Sequence, residues 1–276
     1  MKYRFIGKNK LLLHKELGQT PLQAMELIRV QNPALAGALM TYAGRLDPMA
    51  EGLLLVLLGE ECKKKQRYLG LDKEYEFEVL FGISTDSGDV LGVFKHCNFE
   101  NEITKRELIS VSKKFLGEHH FPYPKYSSRT VAGKPLFVHA RNSNQKIVVP
   151  SVKSFIYKLD LLDLYKENLA NISAKIIARI SSFQVNAQDA RVGSDFRKNE
   201  ILRYWDALQR HNEQIHIARF RAIVGSGTYI RTLSEKIGET LGVPALAYTI
   251  VRTKIGKFIP LGRGFGFWMR QLGGVE

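Results

Sequence analysis

The stretch Gly44-Arg45-Leu46-Asp47-Pro48-Met49-Ala50-Glu51-Gly52-Leu53-Leu54-Leu55-Val56-Leu57-Leu58-Gly59 sets a lone carboxylate on a turn just ahead of an apolar run. Pro48 biases Asp47 away from helical geometry and towards an extended or turn conformation. The run from Gly52 to Gly59 is continuously apolar and of strand length, which predicts a buried strand. A carboxylate on a loop backed by a core strand is well placed for chemistry. The commoner use of an Asp beside a proline is an Asx-turn, and the residue alone does not separate the two.

Working outward, Glu74 to Gly82 (EYEFEVLFG) alternates and places Tyr75, Phe77, Val79 and Phe81 on one face of a half-exposed strand. Thr20-Pro21-Leu22-Gln23 predicts a helix start with Thr as N-cap, Pro at the first position and Gln completing a capping box, and Leu22, Met25 and Ile28 facing inward. Thr104-Lys105-Arg106-Glu107 repeats that logic, with Leu108, Val111 and Phe115 at helical spacing and Gly117 at the stop. Ser151 to Leu162 and Ala174 to Ile180 read as strands, Lys198 to Arg210 and Thr228 to Leu241 as helices, and Tyr248 to Phe258 as extended. Strands and helices mix without strict alternation or internal repeat, so the class is α+β or a mixed-sheet α/β.

The 276 residues carry 41 Lys and Arg against 27 Asp and Glu, a formal net charge of +14. Such a surface attracts polyanions, and because the basic residues are spread along the chain, nucleic acid is the expected partner and not a membrane. No run of about eighteen uncharged apolar residues occurs and no signal-peptide core follows the basic N-terminus, so a soluble, cytoplasmic protein is expected. Two cysteines, Cys62 and Cys97, without CxxC spacing argue against a disulfide framework and against a zinc site.

Two further residues stand out beside Asp47. Alternation puts Tyr75 on the apolar face of its strand, where a packed core tyrosine is the ordinary outcome. Arg231, in Ser226-Gly227-Thr228-Tyr229-Ile230-Arg231, lies beside the stripe of Ile230, Leu233, Ile237 and Leu241, with Glu235 four residues on as its ordinary surface partner.

Taken together, four motifs resemble the TruB family of tRNA pseudouridine synthases, and the likeness runs over nearly the whole chain. They are GRLDPMAEGLLL (Gly44 to Leu55), DKEYEFEVLFG (Asp72 to Gly82), TDSGDVLG (Thr85 to Gly92) and SGTYIRTLSEKIGETLG (Ser226 to Gly242). Weaker echoes are LLLHKELGQTP near the N-terminus, FPYPKYSSRTVAGKPLFVHAR (Phe121 to Arg141) and AYTIVRTKIGKF near the C-terminus, all in the family's order. The resemblance implies the pseudouridine synthase fold, α+β with a mixed, largely antiparallel central sheet, flanking helices and an RNA-binding cleft. It implies a monomer acting on the T-arm of tRNA, isomerising the uridine at tRNA position 55 without metal or cofactor. Asp47 is implied as the covalent catalyst, Tyr75 as the tyrosine that stacks on the target base and takes part in proton transfer, and Arg231 as the partner of Asp47. Tyr42, Arg45, Lys73, Tyr126, Ile250 and Arg252 are the implied substrate-binding residues, Lys73 being the lysine of the K-x-Y strand and Ile250 standing for a packing Leu. Lys63, Lys64, Lys65, Arg67, Arg252 and Lys254 are expected to hold phosphates.

The chain departs from the family pattern in places. Tyr42 stands where His is usual, Thr130 where Lys is usual and Phe137 where Tyr is usual. The spelling GRLD is also that of ribosomal-RNA pseudouridine synthases, which leaves ribosomal RNA as an alternative substrate. A tRNA-folding chaperone would need the basic surface and not the set Asp47, Tyr75 and Arg231. The domain reading is one catalytic domain over 1–276, with a T-arm-binding insertion at about 118–150, an extra helical segment at about 184–214 and no C-terminal PUA domain. That extra segment, with Ile201, Leu202, Trp205 and Leu208 on one side, either packs on the core or adds Arg191, Arg197, Lys198, Arg203 and Trp205 to RNA binding.

Overall fold

A computed structural model describes residues 2–141, 147–183 and 197–273. In chain order the elements are β1 (Tyr3–Phe5), β2 (Lys10–Lys15), α1 (Pro21–Gln31), β3 (Met40–Ala43), β4 (Ala50–Leu58), α2 (Lys65–Leu69), β5 (Asp72–Phe81), β6 (Ile83–Thr85), β7 (Phe94–Cys97), α3 (Lys105–Lys114) and β8 (Gly117–Pro122). There follow β9 (Thr130–Val131), β10 (Lys134–Pro135), α4 (Leu136–Arg141), β11 (Ser151–Asn168), α5 (Leu169–Ser181), α6 (Lys198–Leu208), β12 (Gln214–Val224), α7 (Ile230–Leu241), β13 (Ala245–Gly262) and β14 (Phe265–Gly273). The main sheet runs β1-β2-β4-β13-β5-β12-β11-β8, with β3 on β4 and β14 on β13. Its pairings are antiparallel except where β13 meets β4, so the sheet is mixed and largely antiparallel, as the family resemblance implied.

Both capping boxes form. The Thr20 hydroxyl accepts from the Gln23 amide while the Gln23 side chain accepts from the Thr20 amide, and Thr104 and Glu107 do the same. Each satisfies two amides that a helix start leaves without partners. Ala24, Met25 and Ile28 face inward against Leu11, Leu13, Leu54 and Val56. Leu22 does not: it is 39% exposed and lies on the rim of a cavity described below.

The centre of the sheet corrects a second expectation. β5 is flanked by β13 and β12 and covered on both sides, so it is not half-exposed. Tyr75, Phe77, Val79 and Phe81 pack with Leu108 and Val111 of α3 and Ile230, Leu233 and Ile237 of α7. On the other side Leu80 packs with Ile172, Ile176 and Ile180 of α5 and Ile201 and Trp205 of α6. Each buried aliphatic or aromatic side chain contributes about 1.5–3 kcal/mol of transfer free energy, so this double-sided packing fixes the sheet's register firmly.

Ala174–Ile180 is helix, as part of α5, and not a strand. Asn168 caps it by accepting from the amides of Ala170 and Asn171, and Leu169, Ile172, Ile176 and Ile180 form one buried face. Helical spacing and a cap outweigh the β-branched composition. Of the 184–214 segment, 184–196 and with them Arg191 lie outside the described residues. α6 buries Ile201, Trp205 and Leu208, so Trp205 belongs to the core and is not available to RNA. Among the described residues no helix is long and apolar enough to cross a membrane.

Candidate active site

The chain leaves the β3–β4 ladder at Gly44, whose φ of +81° is a conformation that glycine adopts without steric cost, and rejoins β4 at Ala50. Between them lies Asp47. Arg252 on β13 ties this loop down: its Nε donates to the Leu53 carbonyl at 2.6 Å, its Nη2 to Gly44 at 3.0 Å and its Nη1 to Arg45 at 3.3 Å. It is 1% exposed, so it braces the loop and is not a phosphate ligand as expected from sequence. Pro48 is held from the other side, its carbonyl accepting from the Gly18 amide at 2.9 Å.

β4 and β13 run parallel at Ala50–Gly52 against Ile250–Arg252, and there Gly52 sits at φ +103°. A Cβ on Gly52 would stand 2.4 Å from the Arg252 carbonyl oxygen. Gly52→Ala is therefore expected to destabilise the protein by roughly 2–3 kcal/mol through strain and overpacking, and to lower activity by displacing the Asp47 loop. A urea midpoint equal to that of the wild type would show that the two backbones are not so close.

Arg231, in the first turn of α7, is 3% exposed and meets Asp47, not Glu235. Its Nε and Nη2 both lie 2.8 Å from the Asp47 Oδ2. The remaining donors are also used: Nη1 donates to the Ser87 carbonyl at 2.8 Å and Nη2 to the Tyr126 carbonyl at 3.2 Å. A second carboxylate, Asp89, stands 3.6 Å from Nε. Burial works against the guanidinium charge, but Asp47 and Asp89 outweigh it and raise its pKa. Asp89 is raised too, by burial, with Arg231 and the Ser87 hydroxyl opposing.

Asp47 and Arg231 sit where two cavities meet. The smaller, about 180 Å³, is also lined by Tyr75, Lys73, Ser127, Tyr229 and Ile250. The larger, about 420 Å³, is bounded by Tyr42, Arg45, Tyr126, Phe137, Arg141 and Arg197. All nine residues singled out in the sequence are thus brought to one place: Arg45 lines both cavities and Arg252 the smaller. Tyr75 is 8% exposed, and its hydroxyl accepts a long contact of 3.5 Å from Arg252 Nη1. Lys73 is buried and donates to the Leu69 and Leu71 carbonyls at 3.0 and 2.5 Å; burial, then Arg252, lowers its pKa to about 7. The Tyr42 ring faces Lys65 Nζ at 5.1 Å and the Arg45 guanidinium at 5.8 Å, an aromatic plate flanked by cations.

Several groups at the site were not singled out by sequence reasoning. Asp86 and Asp89 lay in the quoted TDSGD stretch, where two carboxylates three apart around a glycine turn were the available signal. Tyr229 packs edge-on against Tyr123 at 5.7 Å, and burial followed by the nearby Asp47 pushes its phenol up to about 12. Lys15, wholly buried, donates to the Gln19 and Glu16 carbonyls at 2.8 and 3.0 Å; burial lowers its pKa to about 7 despite the neighbouring Asp47. Of the expected phosphate ligands, Lys254 is tied to Glu74 at 3.1 Å, while Lys63 pairs with the exposed Glu60 at 2.7 Å and Lys64 with the half-buried Glu61 at 3.1 Å.

The chain is 31% identical over 245 residues to tRNA pseudouridine synthase B of Aquifex aeolicus, covering 89% of this chain and 67% of that protein. It is 28% identical over 245 residues to tRNA pseudouridine synthase 4 of Saccharomyces cerevisiae, covering 77% of this chain and 60% of that one. The chain thus spans about two thirds of the length of these relatives. A chain of the crystal structure of a Cbf5-Nop10-Gar1 complex shares the fold with a TM-score of 0.53 at 18% identity, over 90% of this chain and 49% of that one. The family model described as TruB family pseudouridylate synthase, N-terminal domain, matches residues 35–182, more than half of the 276. That span includes the Asp47 loop, β5 with Tyr75 and the turn bearing Asp89, and with these matches the chain belongs to the TruB family of pseudouridylate synthases.

Proposed function

We propose that the chain converts a uridine of tRNA, the T-loop uridine at position 55, to pseudouridine, with Asp47 as covalent catalyst. The observation that supports this best is the Asp47 carboxylate, gripped by a buried Arg231 at the junction of two cavities and sharing the smaller with Tyr75. The reaction breaks the bond between the sugar C1′ and the uracil N1 and forms one between C1′ and C5, the C5 proton leaving and N1 gaining one. An ionised carboxylate is the nucleophile, and the paired guanidinium offsets its charge as water is displaced. The target base leaves its stack to reach the carboxylate. The Tyr75 ring and Ile250 form the walls against which the freed uracil turns, and the Tyr75 hydroxyl is the proton-transferring group.

The reading takes one catalytic domain, acting as a cytoplasmic monomer without metal or cofactor. Residues 118–150, of which 142–146 lie outside the described residues, grip the T-arm through Tyr126, Phe137 and Arg141 at the larger cavity. Tyr42 takes the place of a histidine as a stacking plate, and Arg45 and Lys65 beside it meet phosphates. The deciding experiment maps pseudouridine in tRNA and ribosomal-RNA transcripts incubated with wild-type protein and with Asp47→Asn; modification at another uridine, or only in ribosomal RNA, would overturn the substrate. Affinity should fall steeply with salt, the logarithmic slope lying at about −3 to −5 if some five phosphates are neutralised. A flat dependence would remove the basic surface from the binding account.

A further inference from the structure

The N-cap residue of α6, Arg197, reaches the cleft. The first two turns of the helix are pinned at their back by Ile201 and Trp205 in the core, and the Trp205 Nε1 donates to the Val90 carbonyl at 3.1 Å, while Leu208 packs at the far end. From this fixed base Arg197 extends to the turn that precedes Val90. Its Nη1 and Nη2 donate to the two oxygens of Asp86 at 2.7 and 3.0 Å, a two-pronged ion pair of the strong, geometrically specific kind. The same guanidinium lies 4.6 Å over the Tyr126 ring, and the Tyr126 hydroxyl donates to Asp86 Oδ2 at 2.8 Å. Asp86 is itself fixed, accepting from the Val93 amide at 2.8 Å. Burial pushes the Asp86 carboxyl up, but the Arg197 and Tyr126 hydrogen bonds outweigh this and hold it below its ordinary value.

This clamp joins three separate parts of the chain: the N-cap of α6, the turn after β6 and the segment between β8 and α4. Tyr126 is its hinge with the chemistry, since its carbonyl accepts from Arg231, the partner of Asp47. Tyr126 and Arg197 both form the wall of the 420 Å³ cavity. A wall segment held in place before the ligand arrives does not have to be ordered during binding, and that saving appears in affinity.

We infer that Arg197 is a positioning residue, holding Tyr126 through Asp86 so that the RNA-facing wall of the cavity is preformed. The inference rests on the tRNA reading of the site. In the full chain, Arg197→Ala is expected to raise KM for a T-arm stem-loop about tenfold, as two or three side chains must then be ordered on binding. Its melting temperature should stay close to that of the wild type, because the pair is partly exposed. Arg197→Lys keeps the charge and loses the fork and the plane, so a rise of about threefold is expected, and this variant decides the matter if the alanine does not fold. Leu208→Ala provides the contrast: a loss of core packing lowers the melting temperature while leaving KM unchanged below it. Measuring Kd of the stem-loop in the Asp47→Asn background reads the clamp without turnover. A wild-type protein that binds the stem-loop and forms no pseudouridine would overturn the functional reading, and the Kd ratio would still decide the clamp. Equal KM and Kd for Arg197→Ala and wild type, or an equal rise in Leu208→Ala, would refute it.

Discussion

Asp47→Asn is expected to lower single-turnover pseudouridine formation by about five orders of magnitude while the stem-loop Kd stays within about twofold of the wild type. The amide keeps the size and the acceptor oxygen of the carboxylate but cannot attack carbon, and loss of a nucleophile removes the covalent path outright. The fold should hardly notice. Arg231 would lose an ionic partner yet keep the Ser87 and Tyr126 carbonyls and the Asp89 carboxylate, so its buried charge is not abandoned. The Asp47 loop would stay braced, because the Arg252 hydrogen bonds go to backbone carbonyls that the substitution does not touch. Circular dichroism and the melting curve check the second half of this, and pseudouridine yield checks the first. Turnover by the variant within tenfold of the wild type would move the chemistry to another group.

The parts of this site legible in the sequence are those fixed by local rules. The capping boxes at Thr20 and Thr104 are decided within four residues, and Asp47 ahead of its apolar strand is visible from a proline and a run of leucines. Ala174–Ile180 reads as a strand because its isoleucines favour strands one by one, while the helix is set by a cap at Asn168 six residues before that stretch begins. What local rules cannot supply is which distant groups meet. Glu235 is the partner that helical spacing offers Arg231, and the fold replaces it with Asp47 and Asp89, which are distant from it in sequence. Arg252 shows the same limit, since a basic residue near a basic rim looks like a phosphate ligand until its carbonyl partners are seen. The resemblance named Asp47, Tyr75 and Arg231 together. The clamp of Arg197 on Tyr126 depends on a segment for which it offered no counterpart.

Arg231→Ala is expected to reduce both stability and turnover, and its dependence on pH separates this account from simple loss of packing. Removing the guanidinium leaves Asp89 buried at 4% exposure with the Ser87 hydroxyl and the Leu91 amide as its donors among the described residues, and leaves Asp47 without its ionic partner. Breaking a buried pair in this way costs roughly 3–5 kcal/mol near neutral pH. Asp89 is already raised by burial with Arg231 opposing, so its folded-state pKa should climb further in the variant. A raised folded pKa means the folded state binds more protons than the unfolded one. The resulting stability is fully present below the ordinary carboxylate pKa and is lost as pH rises through the folded value. Relative to the wild type, the variant should therefore be least stable near neutrality and recover as the solution is made acidic. Arg231→Lys, which keeps a charge but not the fork that meets Asp47, Ser87 and Tyr126 at once, should recover much of the stability and little of the rate. Denaturant melts of the three proteins from pH 5 to pH 8 measure these differences. A constant deficit in Arg231→Ala across that range would mean that lost packing, and not an unpaired Asp89, destabilises the variant.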